Sequence, residues 1–140
     1  MNEKSIIRYF RRAKEVALLS DFYRFHIGCV AVYQGKIIGT GFNTNRSHPL
    51  QKQFNSYREF DLTSKRIDHK LHAEIHCLIQ IKDMNIDFSK VHIFIYRKLK
   101  SRDHGLARPC PACMNMIKSM GIKSIYYTTD DGYIHENFFN

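Results

Sequence analysis

The chain has 140 residues, 44% of them hydrophobic and 25% charged, which fits one globular domain and excludes disordered, collagen-like and repeat architectures. The balance of 22 Lys+Arg against 13 Asp+Glu gives +9, a field that gathers phosphate-bearing partners but does not separate a nucleotide from a polynucleotide, or either from a charge that serves solubility alone. No apolar run approaches the ~18 residues of a membrane span, and Met1-Asn2-Glu3-Lys4-Ser5 leads into a charged stretch without the apolar core of a secretory signal, so the expectation is a soluble cytoplasmic protein with no membrane partner.

The first predicted element covers residues 5–20. Ile6, Ile7, Phe10, Ala13, Val16, Ala17 and Leu18 recur at helical spacing, and Arg8, Arg11, Arg12 and Lys14 fill much of the other face. Residues 27–33 and 37–42 are short apolar runs around Gln34-Gly35-Lys36, a β-hairpin pattern. Residues 43–70 are polar and have no period, too long a stretch for an idle connection; a short helix around 56–67 is the expectation there. Residues 72–82 read as a helix and 91–96 as a buried strand. A basic loop with Lys98, Lys100, Arg102 and Arg108 follows. Pro109-Cys110-Pro111 then opens a helix to about Met120, since proline suits a first helical turn, and Gly121 ends it. Residues 124–129 form the next strand, and Asp130-Asp131-Gly132 is a turn from which 133–135 can return antiparallel. The order α-β-β-α-β-α-β, with a final β, describes an α/β domain over residues 1–140 with a mixed central sheet and helices packed on it.

The chemistry concentrates in His72-x-Glu74 and Pro109-Cys110-x-x-Cys113. In a chain without an export signal, Cys-x-x-Cys points to metal or redox chemistry rather than to a disulfide framework. One histidine and two cysteines make three ligands. A structural zinc is usually closed by four protein ligands, whereas a catalytic one keeps a position for water, so the count favours catalysis. Both motifs fall at predicted helix starts, where the partial positive charge stabilises thiolates. Glu74, two residues from the histidine, reaches the same pocket without binding the metal.

This set resembles the zinc nucleobase deaminases, whose pattern is His-x-Glu followed by Pro-Cys-x-x-Cys. It is most similar to the cytidine and deoxycytidylate deaminases, where Pro-Cys-Pro-x-Cys is common, and the order of elements agrees over most of the chain. The resemblance implies a single three-layer, cytidine-deaminase-like α/β domain with Zn2+ on His72, Cys110 and Cys113. It implies hydrolytic replacement of the ring amine, at C4 of cytosine or C6 of adenine, with Glu74 moving the protons. It also implies that Asn43 touches the substrate, that the Ala73 backbone N–H meets the base carbonyl, and that members self-associate. The chain departs in its loop from Arg97 to Arg108, which is longer than in compact nucleoside deaminases. An antiparallel last pair of strands would resemble the cytidine deaminase branch.

Other reactive side chains have plainer readings. Cys29 and Cys77 read as core. His76, one turn after His72, reads as a packed helix histidine, because the metalloprotease pattern needs Glu directly after the first histidine and Ala73 stands there. His48 is open between a loop histidine, the substrate mouth and a second metal shared with His69 or His104. Of Tyr126 and Tyr127, strand alternation sends one to the core and one away from it. Arg108, with Lys98, Lys100 and Arg102, flanks the cysteine motif as a candidate phosphate contact. Three functions remain open on the sequence: deamination of cytosine in a nucleotide or nucleoside, giving uracil and ammonia; deamination of cytosine or adenine in single-stranded DNA or RNA; and a non-catalytic zinc-stabilised nucleic-acid-binding module.

Overall fold

The computed structural model describes residues 1–58 and 69–138. Helix α1 spans Glu3–Ala17, strand β1 His26–Tyr33, β2 Lys36–Phe42, α2 Pro49–Phe54 with a 3₁₀ turn at Asn55–Arg58, α3 Ala73–Ile81, β3 Val91–Lys98, α4 Pro111–Ser119, β4 Ser124–Thr128 and β5 Tyr133–Asn137. The five strands form one sheet in the order β2-β1-β3-β4-β5. Only β3 and β4 run parallel; the other neighbours are antiparallel. The β4–β5 pair therefore has the orientation that the Asp130-Asp131-Gly132 turn predicts.

Strand alternation builds two cores. Val30, Val32, Phe94, Tyr96 and Tyr126 face α1, where Ile6, Tyr9, Phe10, Ala13 and Val16 cover them. Cys29, Ala31, Ile93, Ile95, Ile125 and Tyr127 face the layer of α3 and α4. The sheet is thus buried on both sides, which gives the three-layer α/β architecture expected from the motifs. It also corrects the reading of Tyr126 and Tyr127. They do point to opposite faces, but both are buried, because each face of β4 carries its own helix layer.

Local chemistry sets the boundaries. Helix α1 starts two residues earlier than its apolar period, because Asn2 Oδ1 accepts the Ser5 N–H at 2.9 Å and caps it. The polar stretch after β2 holds a helix earlier than expected. His48 Nδ1 accepts the Leu50 N–H and Pro49 takes the first helical position, so α2 starts at Pro49, and the 3₁₀ turn Asn55–Arg58 follows it. The expected helix at 56–67 falls largely on residues 59–68, which lie outside the described residues. Gly41 lets α3 lie against β2: a Cβ there would stand 2.3 Å from Cys77 N and 2.4 Å from Ala73 O. That close approach fixes the start of α3, where the site begins.

Candidate active site

His72 is the residue before α3 and has extended backbone (φ −81°, ψ 154°), so the chain turns into the helix immediately after it. Its side chain makes no capping bond. It points instead to α4, with Nδ1 3.5 Å from Cys110 Sγ and 3.3 Å from Cys113 Sγ. Cys110 caps α4 in the same extended way, and Pro111 opens its first turn. The three ligand atoms lie within 4.8 Å of one another. Tetrahedral zinc with its ordinary Zn–N and Zn–S bonds separates such N and S atoms by about 3.6 Å, so the donor set fits that ion.

The electrostatics agree with that fit. The Cys110 thiol, bonded to Cys113 and facing His72, is lowered to about 4. Burial raises the Cys113 thiol, which sits behind the Cys110 negative charge. A dication held between them would stabilise both thiolates. Burial alone would lower the His72 pKa, but Cys110 and Glu74 outweigh it and raise it. Glu74 is 5% exposed, and burial raises its carboxyl. Its Oε1 is buried and has no hydrogen-bond partner. A carboxylate oxygen of that kind needs a donor to offset its desolvation.

Glu74, His72 and Cys110 form the floor of a pocket of about 340 Å³. Phe22, Phe25, Ile27 and Leu71 supply apolar wall, and Arg24, Arg58, Lys70, Arg97 and Arg108 ring it with positive charge. Among the described residues no carboxylate lies within ion-pair distance of Arg24 or Arg97. The Arg97 guanidinium lies 4.4 Å from the Phe25 ring and donates through Nη1 to Leu106 O, while its Nε is buried without a partner.

The structure brings most of the sequence-derived residues together. His72, Glu74, Cys110, Asn43 and Arg108 line the pocket, and Cys113 lies buried beside them. Ala73 is buried at the start of α3 and is not part of the lining; its N–H belongs to the first turn, where the helix offers no internal acceptor. The Asn43 amide pins the approach to β1: Oδ1 accepts the Ile27 N–H at 2.8 Å and Nδ2 donates to Phe25 O at 3.1 Å. Arg108 is tied up differently from a free phosphate contact, with Nε 2.8 Å and Nη2 3.3 Å from the two Glu136 oxygens and Tyr127 OH donating to the same carboxylate. Lys98 pairs with Asp103 and Arg102 with Asp130, and neither these nor Lys100 reach the pocket.

Four other histidines bond groups of the fold outside the metal donor set. His76 Nδ1 meets the Phe42 N–H at 3.1 Å, with the ring edge-on to Phe42. His48 caps α2, His69 Nδ1 bonds Asn55, and His104 Nδ1 contacts Thr129 O. Among the described residues, His72, Cys110 and Cys113 are the one group of three or more such side chains placed to hold a metal. Cys29 and Cys77 are fully buried core. Sequence reasoning missed Arg24 and Arg97. The aromatic-basic run Phe22-Tyr23-Arg24-Phe25 before β1 carried a signal for the first, whereas Arg97 looked like one more cation in a basic loop.

The fold and this donor set define a zinc-site deaminase architecture. The profile of the cytidine and deoxycytidylate deaminase zinc-binding region matches residues 3–129, and the chain belongs to that family. No curated protein matches the sequence. Among solved structures, the dCMP deaminase of cyanophage S-TIM5 in complex with dCMP and dUMP superposes with a TM-score of 0.65 at 21% identity, over 92% of this chain and 84% of that one. The cytidine deaminase of Burkholderia pseudomallei gives 0.62 at 14% identity, over 98% and 93%. A diaminohydroxyphosphoribosylaminopyrimidine deaminase/reductase of Thermotoga maritima gives 0.54 at 17%, over 91% of this chain and 30% of that one. The fold is shared by proteins named for different substrates, so the substrate has to be argued from the pocket.

Proposed function

We propose that this protein deaminates cytosine in a pyrimidine nucleoside monophosphate of the dCMP or CMP type, giving uracil and ammonia. The observation that carries this reading is a pocket that ends at an unpartnered buried carboxylate and is lined by two guanidiniums, Arg24 and Arg97, with no carboxylate at ion-pair distance among the described residues. A neutral nucleoside gives those cations nothing to neutralise, whereas a phosphate accepts several of their N–H donors.

When bound, zinc would be held by His72, Cys110 and Cys113 and would lower the pKa of a water to about 7. Glu74 Oε1 would accept a proton from the attacking water and deliver it to N3 of the ring. As the C4–O bond forms, N3 carries the electron pair displaced from the ring. The second proton of the attacking water would pass through Glu74 to the exocyclic amine, which leaves as ammonia as the C4–N bond breaks and the added oxygen becomes the C4 carbonyl. Burial raises the Glu74 carboxyl, the direction that favours a group able to return a proton. The Ala73 N–H offers a donor to the base carbonyl. Asn43 holds the Phe25–Ile27 wall, and each end of its amide retains capacity for a bond to the sugar. Arg108, braced by Glu136, adds positive potential at the mouth.

One feature favours a second reading, single-stranded nucleic acid. Tyr23 is 61% exposed, and the Arg24 guanidinium lies 5.3 Å from its ring. A base next to the target could stack there, with its phosphate on Arg24. Ammonia release by zinc-loaded protein separates the readings, with Glu74→Ala as control. We expect CMP or dCMP to exceed cytidine or deoxycytidine in kcat/KM by on the order of 10- to 100-fold, the worth of charge-assisted hydrogen bonds. We expect Glu74→Ala to lose about 10²- to 10⁴-fold in kcat while keeping its zinc. Equal rates on nucleoside and nucleotide sink the monophosphate assignment. Turnover on a C-containing single strand alone moves the function to the polymer.

A further inference from the structure

The buried polar side chains outside the pocket lead back to it. Gln51 has no exposed surface. It lies on α2, in the polar stretch that precedes the metal motif. A carboxamide in such a place is costly unless both of its ends are bonded. Gln51 Oε1 accepts the backbone N–H of His72 at 3.0 Å. Its Nε2 donates to Asn55 Oδ1 at 2.8 Å, and Asn55 Nδ2 meets His69 Nδ1 at 3.0 Å. A chain of hydrogen bonds thus runs from His69 through Asn55 and Gln51 to His72, under the segment that delivers the metal-binding histidine.

That segment is held from its other side as well. Leu71 N donates to Arg46 O at 2.8 Å, Thr44 N to Leu71 O at 3.1 Å, and His48 N to His69 O at 3.2 Å. Those bonds end at Leu71. The next N–H, that of His72, is where the chain leaves extended geometry for α3, and Gln51 receives it. α2 and its 3₁₀ turn also pack on α4, the helix that carries Cys113. One short element therefore touches both ligand-bearing parts of the site.

We infer that Gln51 is a positioning residue of the zinc site: its carboxamide fixes the His72 backbone, and so the distance of His72 Nδ1 from Cys110 Sγ and Cys113 Sγ. Metal sites tolerate ligand displacements of only about 0.2 Å. Side chains that orient a ligand from behind contribute about 10- to 100-fold in metal affinity. The inference rests on the zinc site and not on the choice of substrate.

The test needs only the full chain, Zn2+, Co2+ and a chromogenic chelator. Gln51→Met keeps the length of the side chain and removes both hydrogen bonds. Gln51→Glu keeps an acceptor for the His72 N–H. We expect Gln51→Met to bind zinc about 10- to 100-fold more weakly in chelator competition, and to shift the visible absorption of the Co2+ form. We expect Gln51→Glu to stay within a few-fold of wild type in zinc affinity. A lowered Tm is expected for Gln51→Met on structural grounds alone and decides nothing by itself. Wild-type zinc affinity and Co2+ spectrum in folded Gln51→Met overturn the inference. Should that variant not fold, Gln51→Asn replaces it: one methylene shorter, it withdraws the oxygen from His72 while staying polar. Wild-type affinity in Gln51→Asn overturns the inference in the same way. Because no substrate enters the assay, its result is independent of whether the monophosphate reading stands.

Discussion

At the scale of single residues, the site divides its cations into two kinds. Arg108 is exposed and bidentate on Glu136, which lies low in the carboxylate range because Arg108 and Tyr127 donate to it. Among the described residues Arg97 has no acid within ion-pair distance, and burial lowers its pKa against the opposing pull of Asp130. A half-buried guanidinium has already given up part of its water, so it gains more from an arriving anion than an exposed one does. Arg97→Met, which keeps apolar contact with Phe25, is therefore expected to raise KM for the monophosphate by on the order of 10- to 100-fold. It is expected to leave kcat/KM for the nucleoside near its wild-type value. Steady-state kinetics on the two substrates check this, and an equal loss on both would assign Arg97 to the fold rather than to the phosphate. The distinction between these two arginines was not legible in the sequence. Glu136 lies 28 residues beyond Arg108, and only the β4–β5 hairpin brings it back. Gln51 was invisible for the same reason, since its partner His72 is 21 residues away.

Elements were more legible than pairings. The hairpin, the two motif helices and the β3 and β4 strands follow from apolar runs, proline and glycine punctuation and turn residues, all of them local. The part that failed was α2, a helix of six residues. Six residues are too few for a hydrophobic period, and its start depends on a histidine acting as a cap. The placement of α3 is also more than a matter of period. It lies so close to β2 at Gly41 that a methyl group would meet backbone atoms, Cys77 N and Ala73 O, that cannot rotate away. Gly41→Ala must push the start of α3 outward, and His72 and Glu74 move with it. We expect a stability loss of about 1–3 kcal/mol or more from overpacking, together with weaker zinc binding. Gly132→Ala, where nothing lies within 4 Å of the added carbon, is the control and should change little. Thermal melts and chelator competition on the pair measure both effects. A Gly41→Ala protein with wild-type Tm would mean that α3 can slide on the sheet.

At the scale of the whole molecule, the sheet carries a second set of titratable groups far in sequence from the metal motif. His92 on β3 and His135 on β5 bond the same Ser124 hydroxyl on β4, through Nδ1 and Nε2, each at 2.8 Å. His135 also stacks on Tyr126 with ring centroids 3.9 Å apart. This arrangement joins the three strands beside the α1 core. Burial lowers the pKa of both histidines; His92 is lowered further by His135, and both by the N-terminal ammonium. A folded pKa below the unfolded value of about 6.5 means that the unfolded chain binds more protons in the interval between the two. Stability contributed by these neutral rings is complete above about pH 6.5, falls as pH drops through the interval, and levels off below the folded pKa values. His92→Gln removes the ring and keeps a polar side chain next to Ser124. Its Tm should therefore decline less steeply than that of wild type between about pH 6.5 and about pH 5. Comparing the two curves cancels the titration of His72 and the cysteines, which both proteins share. Parallel curves over that range would show that His92 takes up its proton without cost to the β3–β4–β5 junction.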